Sequence, residues 1–191
     1  MPRNVKLPHR VVVVGSTGSG KTCLAQKLAK LLGVAHVELD AIYWGPDWTR
    51  PRPDDFMART LAALQTDGWV VDGYRREIQE LVWKQADTVV WLNYPLPVVM
   101  KQLFLRTLKR VTRREVLWNG NTESWRKQFL SRHSLFVWAV RHTYRYRRAY
   151  RRFLQDPQRR HLQVIELRSW CQTHDWLDRL SKQHRGLLEV E

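Results

Sequence analysis

Only two cysteines, Cys23 and Cys171, occur in 191 residues. They stand far apart and lack the spacing of a metal site, so a reducing, cytoplasmic setting is the expectation. Cys23 reads as a small buried residue on a helix. The seven histidines are scattered, and none is a candidate metal ligand. No Ser/His/Asp triad and no cysteine-nucleophile signature is present. No run of eighteen apolar residues occurs, which argues against a membrane-spanning helix. The basic opening Met1–His9 leads straight into a strand, and Val11–Val14 is too short for the apolar core of a signal peptide. Internal repeats, low-complexity tracts and long linkers are absent.

Acidic residues are also few: 18 Asp/Glu face 33 Lys/Arg, for a net charge of +15. The imbalance is local. Residues 1–100 hold 12 basic and 10 acidic residues, residues 101–160 hold 17 and 3, and residues 161–191 hold 4 and 5. A basic block of this kind attracts polyanions: nucleotide phosphates, nucleic acid or an acidic membrane surface.

Against these absences stands one strong motif. Gly15-Ser16-Thr17-Gly18-Ser19-Gly20-Lys21-Thr22 fits G-x-x-x-x-G-K-[ST]. A valine-rich strand precedes it and an amphipathic helix follows it, the context the motif requires. Its glycines let successive N–H groups converge on phosphate oxygens at a helix N-terminus. Lys21 reaches the terminal phosphates and Thr22 offers a hydroxyl to Mg²⁺. ATP and Mg²⁺ are the expected cofactors.

Short β-branched runs alternate with helical stretches, the pattern of a parallel sheet wrapped by helices. Strands are predicted at Arg10–Val14, Ala35–Leu39, Trp69–Asp72, Thr88–Leu92 and Leu162–Leu167. Helices are predicted at Thr22–Leu32, Pro53–Gln65, Pro97–Thr112, Glu123–Leu154 with a break, and Thr173–Lys182. The expected organisation is one α/β domain over residues 1–191, with a proline-, tryptophan- and arginine-rich loop at Tyr43–Arg52.

Candidate site residues cluster where an open parallel sheet places its ligands, beyond the carboxyl ends of its strands. Asp40 is predicted to end the second strand and Asp72 the third. One can hold Mg²⁺ through water while the other positions or deprotonates an acceptor, and the spacing does not assign the roles. Tyr43, Trp44 and Trp48, close to Arg50 and Arg52, suit a planar group beside a phosphate clamp, or a lid packed on the domain. Asp72-Gly73-Tyr74-Arg75-Arg76 puts arginines just past a site aspartate. Arg106 and Arg110 share a helical face, and with Arg113 and Arg114 they lead into a turn at Asn119–Asn121, a basic lid that closes over phosphates and excludes water. The segment 141–152 interleaves arginine with tyrosine. It reads either as a nucleic-acid patch or as a helix with tyrosines inward and arginines solvated.

Taken together, these residues resemble the adenylate-kinase-like P-loop proteins, and more narrowly the bacterial subgroup labelled adenylate kinase or DNA topology modulation protein. The resemblance runs over nearly the whole chain. Besides the P-loop it rests on Glu38-Leu39-Asp40-Ala41, Tyr43-Trp44-Gly45-Pro46, Trp48, Trp69-Val70-Val71-Asp72-Gly73, Ala86–Leu92 before Pro95, Leu117-Trp118-Asn119-Gly120-Asn121 with Glu123, and Leu167-Arg168-Ser169. It implies five parallel strands in the order 2-3-1-4-5. It also implies an acceptor-binding insert at 41–66, a lid at 113–126 and a basic helical segment at 127–155. Arg76 takes the acceptor-side arginine role, with Asp40, Asp72, Gly73, Tyr43, Trp44, Trp48 and Arg50 around the acceptor. Arg106 and Arg110 contact the donor nucleotide, and Arg168 lies where its base is held. Tyr74 stands where the subgroup has Asn, Thr122 where it has Arg, and Arg75 where adenylate kinases have Pro.

The leading expectation is an ATP-dependent kinase of a small acceptor, such as a nucleoside monophosphate. Transfer is in line, with Lys21, Arg76 and Arg110 stabilising charge and Asp40 or Asp72 orienting the acceptor or the metal's waters. The alternatives are a nucleic-acid-binding NTPase or regulator that uses the basic block, and a nucleotide-binding protein without transfer activity.

Overall fold

A computed structural model describes residues 7–73, 75–122 and 135–188. Tyr74, the first part of the helix predicted at Glu123–Leu154 and the end of the predicted lid lie outside the described residues.

Five parallel strands form one sheet: β1 (Arg10–Gly15), β2 (Ala35–Glu38), β3 (Trp69–Asp72), β4 (Thr88–Leu92) and β5 (Gln163–Leu167). Their order is β2-β3-β1-β4-β5. In register, Val12 faces Val71 on one side and Val89 on the other, and Glu38 faces Asp72. The helices are α1 (Lys21–Leu32), α2 (Leu39–Tyr43), α3 (Pro53–Ala63), α4 (Arg76–Gln85), α5 (Leu96–Thr112), α6 (Leu135–Leu154) and α7 (Trp170–Leu188). None of the described helices is long and apolar enough to cross a membrane.

The central strand explains the layering. Val11, Val12, Val13 and Val14 are all buried. Successive side chains point to opposite faces, so a strand covered on both sides reads as one unbroken apolar run. Val11 and Val13 join a core with Leu24, Leu28 and Leu180, while Val12 and Val14 join one with Phe56, Trp83 and Tyr150. Helix α1 stops at Gly33, which is left-handed at φ 68°. Helix α3 opens with proline and carries Asp54 and Asp55 in its first turn, where its dipole favours acid.

The structure corrects several predicted bounds. β2 ends at Glu38, so Asp40 lies in the first turn of the short helix α2 and not at a strand end. Helix α4 had no counterpart among the predicted helices; it buries Ile78, Val82 and Trp83. Helix α7 begins three residues earlier than predicted and runs to Leu188. Cys23 is exposed rather than buried, because it lies on the solvent side of α1, whose inward face is taken by Leu24, Ala25 and Leu28.

Candidate active site

The P-loop joins β1 to α1. At Gly18 the backbone is left-handed at φ 85°, and a Cβ there would stand 2.8 Å from Leu103 Cβ and 3.1 Å from the Val99 carbonyl. The loop therefore rests directly on α5 with no room for a side chain. Gly20 is the N-cap of α1 at φ 89°, and a Cβ on it would project into open space. No side chain caps α1, and its first turn carries no acid. The first N–H groups of the helix thus have no side-chain partner, the arrangement that receives an anion. The buried Ser19 hydroxyl also has no hydrogen-bond partner among the described residues. Lys21 Nζ donates to the Ser16 carbonyl at 3.0 Å, folding back over the loop. Desolvation lowers the Lys21 pKa below its ordinary 10.5, against the opposing pull of Asp72 and Asp40; Arg106 adds to the lowering.

Thr22 and Asp72 meet at the carboxyl end of the sheet. The Thr22 hydroxyl donates to Asp72 Oδ2 at 2.5 Å, and His36 Nε2 lies 2.9 Å from Asp72 Oδ1. Asp72 is only 2% exposed, so both of its oxygens are held by neighbours in place of water. The P-loop residues Gly15, Ser16, Thr17, Gly18, Ser19, Gly20, Lys21 and Thr22 and the acid Asp72 therefore form one constellation. It has the donors and the carboxylate–hydroxyl pair suited to a triphosphate and Mg²⁺.

On the other side of Asp72, Asp40 Oδ1 accepts from Arg75 at 2.6 Å. The Arg75 guanidinium lies 3.7 Å from the Tyr43 ring centre and 5.4 Å from that of Trp44. Arg75 is thus the arginine that faces Asp40. Arg76, one residue on, is exposed at the start of α4, as Arg50 is in its loop. Tyr43, Trp44 and Trp48 stand edge to face in series, at 5.0 and 5.5 Å between centres, and Trp118 of the predicted lid continues the row 6.3 Å from Trp48. Glu38 accepts a hydrogen bond from the side chain of Trp118. Burial raises the Glu38 pKa most, with that bond opposing it and Asp72 and Asp40 among the smaller influences.

The predicted lid turn lies on this aromatic row. Val116 and Thr122 pair as an antiparallel bridge, closing a small hairpin. Asn121 accepts from the Trp48 N–H at 2.9 Å and donates to the Gly45 and Trp118 carbonyls, each at 2.8 Å. Asn119 donates to the Trp44 carbonyl. Asp47 and Asn119 both adopt φ 55°, a left-handed turn position that Asp and Asn tolerate better than most residues. Sequence reasoning marked both loops but not their contact, which joins residues about 75 positions apart.

The Gln102 amide of α5 lies between the Gly18 carbonyl, 2.6 Å away, and the Trp170 indole nitrogen, 2.5 Å away, and the bonding potential of both is met with its nitrogen toward Gly18 and its oxygen toward Trp170. It ties the P-loop to the start of α7. Arg106 is near enough to Lys21 to influence it, and Arg110 pairs with Glu115 at 3.7 Å. Arg168 is exposed and holds Glu166 with two bonds of 3.0 Å, which lower the Glu166 pKa. Gly73, after Asp72, is left-handed at φ 107° with its Cα side against Leu39.

In the basic segment the tyrosines divide. Tyr150 is buried against Trp91, Tyr146 packs against the same core, and Arg147 turns inward to donate to the Tyr94 carbonyl. Tyr144, Arg145, Arg148, Arg151 and Arg152 face outward.

No protein-family profile matches the chain. No curated protein matches it either. Solved structures do. Shikimate kinase from Acinetobacter baumannii, in complex with shikimate, matches over 96% of this chain and 94% of that one, with a TM-score of 0.50 and 18% identity. A Chloroflexus aurantiacus protein provisionally named a kinase matches over 94% and 99%, with a TM-score of 0.51 and 14% identity. The shared property is the fold, a five-stranded parallel P-loop sheet flanked by helices.

Proposed function

We propose that this protein is a Mg·ATP-dependent phosphotransferase acting on a small acceptor. The observation that carries the reading is the Thr22–Asp72 hydrogen bond beside Lys21 at the uncapped start of α1. A P-loop hydroxyl held on a strand-end carboxylate is the equipment that positions a nucleotide's metal, and the N–H groups after Gly20 hold its phosphates. When bound, Mg²⁺ supplies charge neutralisation on phosphoryl oxygens. Lys21 adds a cation against the terminal phosphates. Arg106 and Arg110 belong to the donor side, and Arg168 stands at the loop expected to hold the base.

We assign the acceptor side to Asp40, Arg75 and the aromatic row. Arg75 takes the acceptor-side role expected of Arg76, because its guanidinium points to Asp40. Residues 41–66 serve as the acceptor insert and 113–126 as the lid. Contacts between the two close the site against water, as a transfer enzyme requires to suppress hydrolysis. The adenylate-kinase-like resemblance and the kinase-like fold support this reading, and a reducing, cytoplasmic location is consistent with two free thiols.

The test is acceptor-dependent ADP formation from Mg·ATP, with Lys21→Ala as the control. Stimulated ADP release that disappears in the variant is the expected result. Mg·ATP binding with no acceptor-stimulated turnover would leave a nucleotide-binding protein without transfer activity.

A further inference from the structure

The chemistry of the acceptor follows from how charge is distributed beyond Asp72. Three carboxylates gather at the ends of β2 and β3: Glu38, Asp40 and Asp72. Glu38 feels both Asp72 and Asp40, and Lys21 feels both aspartates, so the group shares one electrostatic neighbourhood. Among the described residues, the arginine turned into that neighbourhood from the acceptor side is Arg75. It is already matched, at 2.6 Å, by Asp40 and lies over the Tyr43 ring. Arg50 and Arg76 point to solvent. An acceptor bearing its own phosphate or carboxylate would face like charge, and among the described residues the acceptor-side arginine is already paired with Asp40 while Lys21 is turned back over the P-loop. Like charges brought together in a partly buried site oppose binding.

The same groups suit a hydroxyl. Carboxylates accept O–H and N–H donors, and the Trp44, Trp48 and Trp118 rings offer flat apolar and π surface. The Asp40 side chain is 43% exposed, with one oxygen held by Arg75, so it keeps capacity for a further donor. Asp72 is spent on Thr22 and His36.

We propose, resting on the phosphotransferase reading, that the acceptor is an uncharged or cationic hydroxyl compound, held between the tryptophan row and the Glu38–Asp40 carboxylates. The acceptor oxygen forms a bond to the γ-phosphorus, the bond from that phosphorus to the bridging oxygen of ADP breaks, and the hydroxyl proton passes to Asp40 and then to water. The balance is R–OH plus ATP giving R–OPO₃ plus ADP and one proton. A nucleoside monophosphate would need no such base, since its phosphate is already ionised.

The experiment uses the full chain with Mg·ATP and reads ADP release and Mg·ATP binding in parallel. The acceptors are AMP and CMP, the hydroxy acids gluconate and shikimate, the neutral polyols glucose and myo-inositol, and the cations choline and kanamycin. The expected result is stimulation of about tenfold or more by a neutral or a cationic member, and none by the nucleotides or hydroxy acids. Asp40→Asn then lowers kcat about 100-fold with KM nearly unchanged, as for loss of a general base. Glu38→Gln, which retains the acceptor for Trp118, raises the acceptor KM about tenfold and leaves the KM for ATP unchanged. A nucleotide or hydroxy acid as best acceptor overturns the proposal. So does Mg·ATP binding with no stimulation by any neutral or cationic member. Failure to bind Mg·ATP overturns the phosphotransferase reading itself.

Discussion

The Thr22 hydroxyl stands 2.5 Å from Asp72 Oδ2, which ties the first turn of α1 to the end of β3. Neither residue is replaceable without affecting the other, because Asp72 is buried and its second oxygen is occupied by His36. Asp72→Ala leaves the Thr22 hydroxyl and the His36 ring without their partner. It is expected to destabilise the protein by about 1–3 kcal/mol, measured by urea unfolding. Asp72→Asn preserves the shape and is expected to lower kcat by about 100-fold or more, the scale of losing an electrostatic group at a reacting phosphate.

Lys21 shows the conflict between stability and function. Its pKa is lowered chiefly by desolvation, so the folded chain holds this proton less tightly than the unfolded chain does. Stability therefore rises with pH between the lowered value and 10.5, and the ammonium costs stability below that window. Lys21→Met is expected to abolish turnover while raising the melting temperature at pH 7. The gap between variant and parent narrows as the pH approaches 10.5.

Glu38 shares the cause, burial of a charge, but has the opposite pH dependence. Burial raises its pKa above the ordinary 4.5, so the folded state favours the neutral carboxyl. Ionised Glu38 costs stability at pH values above the raised value. The cost fades as pH falls through it and is gone below 4.5. Glu38→Gln is expected to melt higher than the parent at pH 7 and at the same temperature near pH 3, read by thermal scans across that range.

Asn121→Ala removes one accepted and two donated hydrogen bonds from a side chain that is 4% exposed. The expected loss is about 1–3 kcal/mol of local closing energy, since the Gly45 carbonyl and the Trp48 N–H must find water instead. Hydrogen exchange at residues 44–49 is expected to speed up, with the strands unaffected. Acceptor-independent ATP hydrolysis is expected to rise.

The elements differ in how clearly the sequence marks them. The central strands β1, β3 and β4 were visible because apolar runs buried on both faces stand out; the partly exposed edge strands β2 and β5 showed through shorter β-branched runs, and no strand end shifted by more than a residue. The P-loop was visible because its fixed positions, Gly15, Gly20, Lys21 and Thr22, each meet a backbone, charge or hydroxyl requirement at set spacing. Asp40 was harder: α2 spans five residues, too short to show a helical period, so the aspartate read as the end of a strand. Helix α4 did leave a signal in Ile78, Leu81 and Val82, spaced for one helical face, although no helix was predicted there. The choice between Arg75 and Arg76 turns on a single residue of register where strand passes into helix, and composition does not encode that. The Asn119 and Asn121 contacts join segments distant in sequence, and no local pattern announces them.

The hairpin closed by Val116 and Thr122 grips main-chain atoms of the loop at 44–48: the Trp44 and Gly45 carbonyls and the Trp48 N–H. These three hydrogen bonds do not depend on which side chains residues 44, 45 and 48 carry. The Trp48–Trp118 ring contact does depend on them, so exchanging Trp48 is expected to remove that contact and keep the three backbone bonds. The fastening of one loop to the other is thereby largely independent of the ring faces proposed to meet an acceptor.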